Sequence, residues 1–392
     1  MNKEILHIDV QEFITKNIAA DISKIILKGS PFEEISVQTL ANQILAKKKS
    51  QHKLPTWFCA KNIYYPAKVS IEQSSSEVTA KYKATLMSGE RMVDLTGGFG
   101  VDAYYFAKRS KEVIHCELNR ELSEIVTHNF KELQVKNIRT IAGDGLKFLK
   151  NTSQQFDGIY IDPSRRDDQK EKVFLLKDCF PNVPENLNFL FTKSSRILIK
   201  NSPILDIKST INELQFVKEI HVIAIDNEVK ELLFLLEKEF KNDIKIYTLN
   251  YAKKGWQVFN FSFNNQKKAS YSEPLHYLYE PNAAILKSGA FQAVSAVLKV
   301  HKLHQHSHLY TSNHLVDFPG RRFEIAHILP YDKKKIKKLL SDNKANITTR
   351  NFPKNVGQIR KELNIKDGGS DYLFFTTDVH QKKKVLFCKK AN

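Results

Sequence analysis

Apolar positions along the chain fall into three regimes. Up to about residue 50 they recur at helical spacing, as in Ile14, Ile18, Ile22, Ile25 and Ile26, which predicts a small helical region. The aromatic-rich segment "KKKSQHKLPTWFCAKNIYYP" reads as a linker. Its Trp57, Tyr64 and Tyr65 are expected to anchor the helical region to the sheet rather than to cover a ligand. In "SSSEVTAKYKATL", Ser74 and Glu77 stand at capping-box spacing, so a helix is expected to start there.

From Arg91 the pattern alternates. "RMVDL", "EVIHCE", "NIRTIAGD", "FDGIYID" and "RILIK" are predicted strands, and "VDAYYFAKR", "RELSEIVTHNFKEL" and "GLKFLK" are predicted helices between them. Repeated β–α units mean a parallel sheet with helices on both faces. "VKEIHVIAID" and "VKELLFLLE" come next across a short polar break, which predicts an antiparallel pair at the sheet's edge. "DIKIYTLN" and "WQVFNFSF" predict a further hairpin.

Near Lys268 the organisation changes. "EPNAAILKSGAFQAVSAVLK" predicts one helix with Pro281 near its start. "RRFEIAHIL", "YDKKKIKKLLSDN", "ANITTR", "VGQIRKEL" and the hairpin "DYLFFTT…KKVLFC" then give the order β-α-β-α-β-β of a compact α+β domain. The expected divisions are 1–85 (helical, with linker), 86–268 (α/β core) and 269–392 (basic α+β).

With 392 residues, 42% of them hydrophobic, the chain suits two or three packed domains. Cys59, Cys116, Cys179 and Cys388 are far apart and form no C-x-x-C pair, against a zinc knuckle or a disulfide framework. The start "MNKEILHIDVQEF" has no secretory pattern, and no stretch approaches the ~20 apolar residues of a membrane helix. The expectation is a cytoplasmic protein without membrane or metal. "HKLHQHSHLY" carries His301, His304, His306 and His308, but with no adjoining Cys or acid a basic surface or a plain loop outweighs a metal site. Net charge is +18, and residues 275–392 hold 21 Lys or Arg against 9 Asp or Glu, a net of +12. Such a localised basic field fits a polyanion, RNA first; the plainer reading is solvated lysine on helix faces.

The chemistry sits at strand ends. After the first strand comes Asp94-Leu95-Thr96-Gly97-Gly98-Phe99-Gly100, a glycine turn into a helix. Glycine lets the backbone approach a ligand closely, and a dinucleotide, S-adenosylmethionine or a phosphate can all sit there. Glu117 ends the second strand, where a carboxylate accepts from ribose hydroxyls or is simply an exposed strand-end acid. Asp144 ends the third, facing a ligand or capping the next helix. The fourth ends in "IYIDPSRRD", with Asp162, Pro163, Arg165 and Arg166 at the edge where such sheets bind ligands. Arginine forks suit phosphate, carboxylate or bases, a set for which a dehydrogenase has no need. The bland alternative pairs these arginines with Asp167 and Asp168.

These strand ends resemble the class I S-adenosylmethionine-dependent methyltransferases: "DLTGGFG" is similar to their first motif, Glu117 and Asp144 to their second and third, and "DPSRR" stands in the place of their D/N-P-P-aromatic motif, with Ser164 and Arg165 departing from it. "SIEQSSSEVTAKYKA", "YEPNAAILKSGAF", "FPGRRFEI" and "DGGSDYLFFTT" resemble the bacterial members that end in a THUMP-like domain. The resemblance implies an α/β, doubly wound Rossmann-like methyltransferase sheet, an N-terminal helical domain and a C-terminal α+β (THUMP-like) domain. It implies S-adenosyl-L-methionine held by Asp94, Thr96, Gly97, Gly98, Gly100, Glu117 and Asp144. It implies catalysis at Asp162, Pro163 and Arg165, and substrate contacts at Arg165, Arg166 and Lys200. The expected substrate is RNA, either tRNA or rRNA. Two other readings stay open: a non-catalytic RNA-binding protein on the same scaffold, and a nicotinamide-dependent oxidoreductase.

Overall fold

Near-continuous apolar runs such as Val93, Ile159–Ile161 and Ile197–Ile199, each at most 1% exposed, can only be strands covered on both faces. In the computed structural model, which describes residues 1–165, 175–264, 268–340 and 342–391, they are the centre of a parallel sheet. Its strands are β1 (Gly89–Asp94), β2 (Ser110–Glu117), β3 (Ile138–Ala142) and β4 (Gly158–Ile161). The short β5 (Ser164–Arg165) and β6 (Cys179–Phe180) come next, then β7 (Arg196–Asn201). The spatial order is β3-β2-β1-β4-β7, all parallel, with Val93 opposite Ile114 on one side and Ile159 on the other. Chain direction across the sheet reverses between β1 and β4, which creates a crevice at their carboxyl ends. The helix Val101–Ala107 is buried along its whole length, while Arg120–Glu132, capped by Asn119, buries Ile125, Val126 and Phe130.

These elements belong to the first of two compact units, Met1–Lys218 with Leu233–Lys241. Its N-terminal part differs from the sequence expectation in two places. The supposed linker is helical, because Val37–Lys53 continues through it and Pro55–Cys59 comes directly after. The reason is burial: Trp57 is fully enclosed, with its ring 4.9 Å from Tyr104 and 6.1 Å from Phe99. The Gln43 amide exchanges hydrogen bonds with the Tyr65 backbone at 2.5 and 3.0 Å, and Asn129 does the same for Tyr64 at 2.9 Å each. The packing role expected of Trp57, Tyr64 and Tyr65 is the one observed. Second, the helix expected from Ser74 is Glu77–Leu86, capped by Ser76. Glu77 closes no capping box. Its carboxylate is buried and accepts from the Thr56 amide and hydroxyl and from the Tyr105 hydroxyl.

The second unit is Glu219–Leu232 with Asn242–Asn392. Strand β8 (Val217–Ile225) turns into β9 (Glu228–Glu237) through Asp226 and Asn227, both at positive φ, the geometry of a two-residue hairpin. That pair does not form an edge as expected. β10 (Lys245–Ala252) lies parallel on β8, Ile220 opposite Ile246, and the outer place falls to β11 (Gly255–Ser262), antiparallel to β10. A seven-stranded sheet completes the unit, in the order β13-β14-β12-β15-β18-β17-β16. Its members are β12 (Tyr277–Pro281), β13 (His301–Lys302), β14 (Tyr310–Ser312), β15 (Gly320–Pro330), β16 (Asn346–Arg350), β17 (Tyr372–Thr377) and β18 (Lys383–Lys390). One core joins Ile336, Ile359, Leu363, Leu373 and Val385, and another joins Leu278, Leu303, Phe323 and Leu386. The single helix expected from Pro281 onward is two, Ala283–Ser288 and Phe291–Leu298. Gly289 at φ 70° ends the first, and Pro281 is the last residue of β12. His304 is buried and bonded to Asn351 and Gln381, and no group of three His, Cys, Asp or Glu side chains able to hold a metal ion occurs among the described residues.

Candidate active site

The glycine turn is held from below and shaped by its packing. Gly97 donates its N–H to Cys116 O at 2.8 Å, and a Cβ on Gly97 would lie 2.1 Å from His115 Nε2. Gly100 sits at φ 77°, and its Cβ would meet the Phe130 ring at 2.6 Å. Here glycine is required both by conformation and by space. His115 beneath the turn is fully buried, and burial pushes its imidazole down to about 4.

Three acids end β1, β2 and the loop after β3. Glu117 spans two backbone donors, accepting from Gly98 N–H at 2.8 Å and Asn119 N–H at 2.7 Å. Asp144 caps the helix Gly145–Asn151, with Oδ1 accepting from the Leu146 and Lys147 amides at 2.8 and 3.2 Å. It is therefore the cap of that helix, and it also lines the cleft. Asp94 is 1% exposed and accepts from Thr96 N–H at 3.0 Å. Burial lifts it well above the usual aspartate range, and the carboxylates of Asp102, Asp162 and Glu117 add to the rise.

At the end of β4, the Asp162 amide donates to Thr96 Oγ1 at 2.6 Å, tying this strand end to the glycine turn. The Lys200 ammonium, from β7, is bonded to the Asp162 carboxylate. Pro163 leads into β5, which pairs with β6 so that Ser164 lies opposite Phe180. The Arg165 side chain and the whole of Arg166, with Asp167 and Asp168, lie outside the described residues.

Behind this surface lies a network with no local signature in the sequence. Asp102 accepts from Ser75 Oγ at 2.7 Å and Tyr160 OH at 2.9 Å, and Lys83 Nζ stands 3.1 Å from its Oδ1. Burial would raise the Asp102 carboxyl, but the Lys83 ammonium, aided by Lys200 and the Ser75 hydroxyl, holds it below the usual range. Lys83 itself is fully buried and donates to Ser75 Oγ at 2.7 Å. The three segments meet only when the helix Glu77–Leu86 packs on Val101–Ala107.

The glycine turn and the acids Asp94, Asp102, Glu117, Asp144 and Asp162 line a cleft of about 540 Å³ that also takes in Ser70, Gln73, Phe180 and Pro181. Its size suits a nucleoside-sized ligand. The donor and acceptor set fits one as well: a carboxylate at the end of β2, an acid after β3 and a glycine-rich turn with open space beside Gly98. The position, at the carboxyl ends beside the reversal of strand order, is that of the nucleotide site in doubly wound folds.

Fold and cleft therefore define a methyltransferase-type α/β protein carrying a second, α+β unit. A protein of Porphyromonas gingivalis W83, provisionally assigned as a methyltransferase, is 32% identical over 100% of this chain and 99% of its own, with a TM-score of 0.89. The chain belongs to the methyltransferase family of that protein. Residues 66–229 match a family model described as conserved hypothetical protein 95, residues 277–319 a ferredoxin-like domain and residues 320–390 a THUMP domain-like model. An uncharacterized RNA methyltransferase of Mycoplasma mobile is 30% identical over 87 residues, a match that spans 22% of this chain and 24% of that relative. An rRNA methylase of Streptococcus thermophilus, 16% identical, aligns with 42% of this chain and 95% of its own at a TM-score of 0.31. Among the described residues no helix is long and apolar enough to cross a membrane.

Proposed function

We propose that the chain is an S-adenosyl-L-methionine-dependent methyltransferase whose substrate is a cytoplasmic RNA, tRNA or rRNA. The observation that carries the reading is the convergence of the glycine turn, Glu117, Asp144 and Asp162 on one cleft, in a chain with a THUMP domain-like segment inside a region of net charge +12.

When bound, the cofactor supplies an electrophilic methyl group on a sulfonium sulfur. In this reading Glu117 accepts from ribose hydroxyls, Asp144 faces the adenine amine, and Gly98, beside which the space is open, allows close backbone approach in a turn shaped by Thr96, Gly97 and Gly100. Asp94, buried and accepting from the Thr96 amide, closes the floor of the turn. Asp162, held by Lys200 and tied to Thr96, orients the acceptor or takes its proton, beside Pro163. Arg165, Arg166 and the positive surface of the second unit grip phosphate.

Calorimetry with S-adenosylhomocysteine and with NAD separates this reading from an oxidoreductase, because binding of NAD alone overturns it. Mass spectrometry of bulk RNA from a strain lacking the protein should show one methylated nucleotide missing. Intact modification, with both ligands bound, would leave a non-catalytic RNA-binding protein.

A further inference from the structure

Three aromatic side chains line the cleft among the described residues: Phe99, Tyr160 and Phe180. Phe99 is 3% exposed and Tyr160 1%, both spent on packing, whereas Phe180 is 43% exposed. An isolated exposed phenylalanine needs no explanation on an open surface. This one stands inside the cleft, at the end where Asp162 and Ser164 lie.

Its segment is well anchored. Side chains alternate along a strand, so with Cys179 turned inward at 5% exposure, Phe180 is turned outward. The preceding turn is fixed by Glu213, whose carboxylate accepts from the Leu176 and Lys177 amides at 3.0 and 2.8 Å, and Leu176 is fully buried. The ladder of β5 on β6 sets Phe180 opposite Ser164, two residues beyond Asp162. The ribose and adenine acceptors lie over β2 and β3. The end of β4, with Phe180 beside it, is left for the group that receives the methyl.

We infer that Phe180 is the stacking platform for an unpaired nucleobase, the acceptor of the reaction, with Pro181 and Ser164 bounding the base and Asp162 facing its reacting edge. The inference rests on the RNA methyltransferase reading above. A preformed, outward aromatic face next to a carboxylate suits a flat π-system presented edge-on to the acid. A base inside a duplex cannot reach it, so the acceptor is single-stranded or flipped out. Stacking does not discriminate strongly between bases, since each has a π-face, so edge contacts set the choice of base.

The test uses the full chain with Phe180→Ala, Phe180→Tyr and Phe180→Trp, thermal melting serving as the folding control. With labelled S-adenosylmethionine and bulk RNA from a strain lacking the protein, Phe180→Ala should raise the apparent KM for RNA about tenfold to a hundredfold. Its affinity for S-adenosylhomocysteine should be unchanged, and Phe180→Tyr should restore KM. In Phe180→Trp, emission measured against the wild type should be quenched by oligouridylate and oligoadenylate, and unaffected by an abasic sugar-phosphate chain of equal length. Wild-type KM in an active Phe180→Ala protein overturns the platform and leaves the methyltransferase reading intact. A wild type that methylates nothing sinks that reading instead, and quenching in Phe180→Trp then decides the platform alone: quenching by the oligonucleotides sustains it, and its absence overturns it. Equal quenching by the abasic chain means phosphate contact without stacking and also overturns it.

Discussion

Replacing Lys83 with methionine tests the network behind the cleft. The stem keeps its length and apolar packing, but Asp102 loses the ammonium 3.1 Å from its Oδ1 while staying buried. Removing one partner of a buried ion pair costs roughly 3–5 kcal/mol, because the other charge is left uncompensated. Asp102 keeps the hydrogen bonds from Ser75 and Tyr160, at 2.7 and 2.9 Å, which places the cost toward the lower end, about 3 kcal/mol. With a urea dependence of roughly 3 kcal/mol per molar, the unfolding midpoint of the first unit should fall by about 1 M. Trp57, fully buried in that unit, reports the transition when Trp256 is replaced by phenylalanine. The pH dependence has a definite sign. In the wild type Asp102 is held below the usual range, so its contribution is present above the unfolded value and is lost as pH falls through the folded one. In Lys83→Met, unopposed burial raises Asp102 instead, so protonation favours the folded state. The gap between the two proteins should therefore narrow below about pH 4. Adding Asp102→Asn to Lys83→Met should recover more than half of the loss. A Lys83→Met protein within about 0.5 kcal/mol of the wild type at neutral pH, a difference the size of the measurement's own precision, would refute the argument.

Glu117→Ala removes a charged acceptor and two backbone bonds, so S-adenosylhomocysteine affinity should fall by roughly 10- to 100-fold in calorimetry, a loss of about 1.5–3 kcal/mol. Gly100→Ala should destabilise the first unit by roughly 1–3 kcal/mol in urea titration, since φ is 77° and the new methyl would lie 2.6 Å from Phe130. His115 titrates near 4 when folded, below its unfolded value, so the unfolded chain takes up the proton first and stability should decline as pH drops from about 6.5 to 4. His115→Gln should flatten that limb of the melting curve. RNA affinity should fall on the order of a hundredfold or more between about 50 and 200 mM salt, as phosphate counterions are released, and an affinity indifferent to salt would assign the basic surface to solvation alone.

Much of the first unit was legible in the sequence because it is written in short-range periodicity. The runs around Val93, Ile114 and Ile159 alternate with amphipathic segments, and a chain built that way has few options besides a covered parallel sheet. The glycine turn and the acids at Asp94, Glu117 and Asp162 could be placed at strand ends for the same reason, since each follows an apolar run, whereas Asp144 stands beyond β3 as the cap of the next helix. The uneven charge needed only counting. Where local signals competed with distant ones, the reading failed. Ser74 and Glu77 have capping spacing, yet Glu77 is claimed by Thr56 and Tyr105, 21 and 28 residues away, and Ser76 caps the helix. The aromatic-rich segment reads as a linker because Phe99 and Tyr104, the partners that enclose Trp57, lie far along the chain. A run of apolar residues after Pro281 hid the break at Gly289.

What only the tertiary structure decided is which remote groups meet and which lose water. Lys83 and Asp102 are ordinary charges in the sequence, and enclosure makes them a pair. Asp94 and Asp162 are both strand-end aspartates, but the first is enclosed beneath the turn and the second is bonded to Lys200 beside the cleft. Phe180 belongs to no motif, and the two-residue pairing of β5 with β6 brings it opposite Ser164. Periodicity is a property of neighbours along the chain. Desolvation and strand order are properties of the whole fold, so a local pattern can mark where a site lies but cannot state what surrounds it.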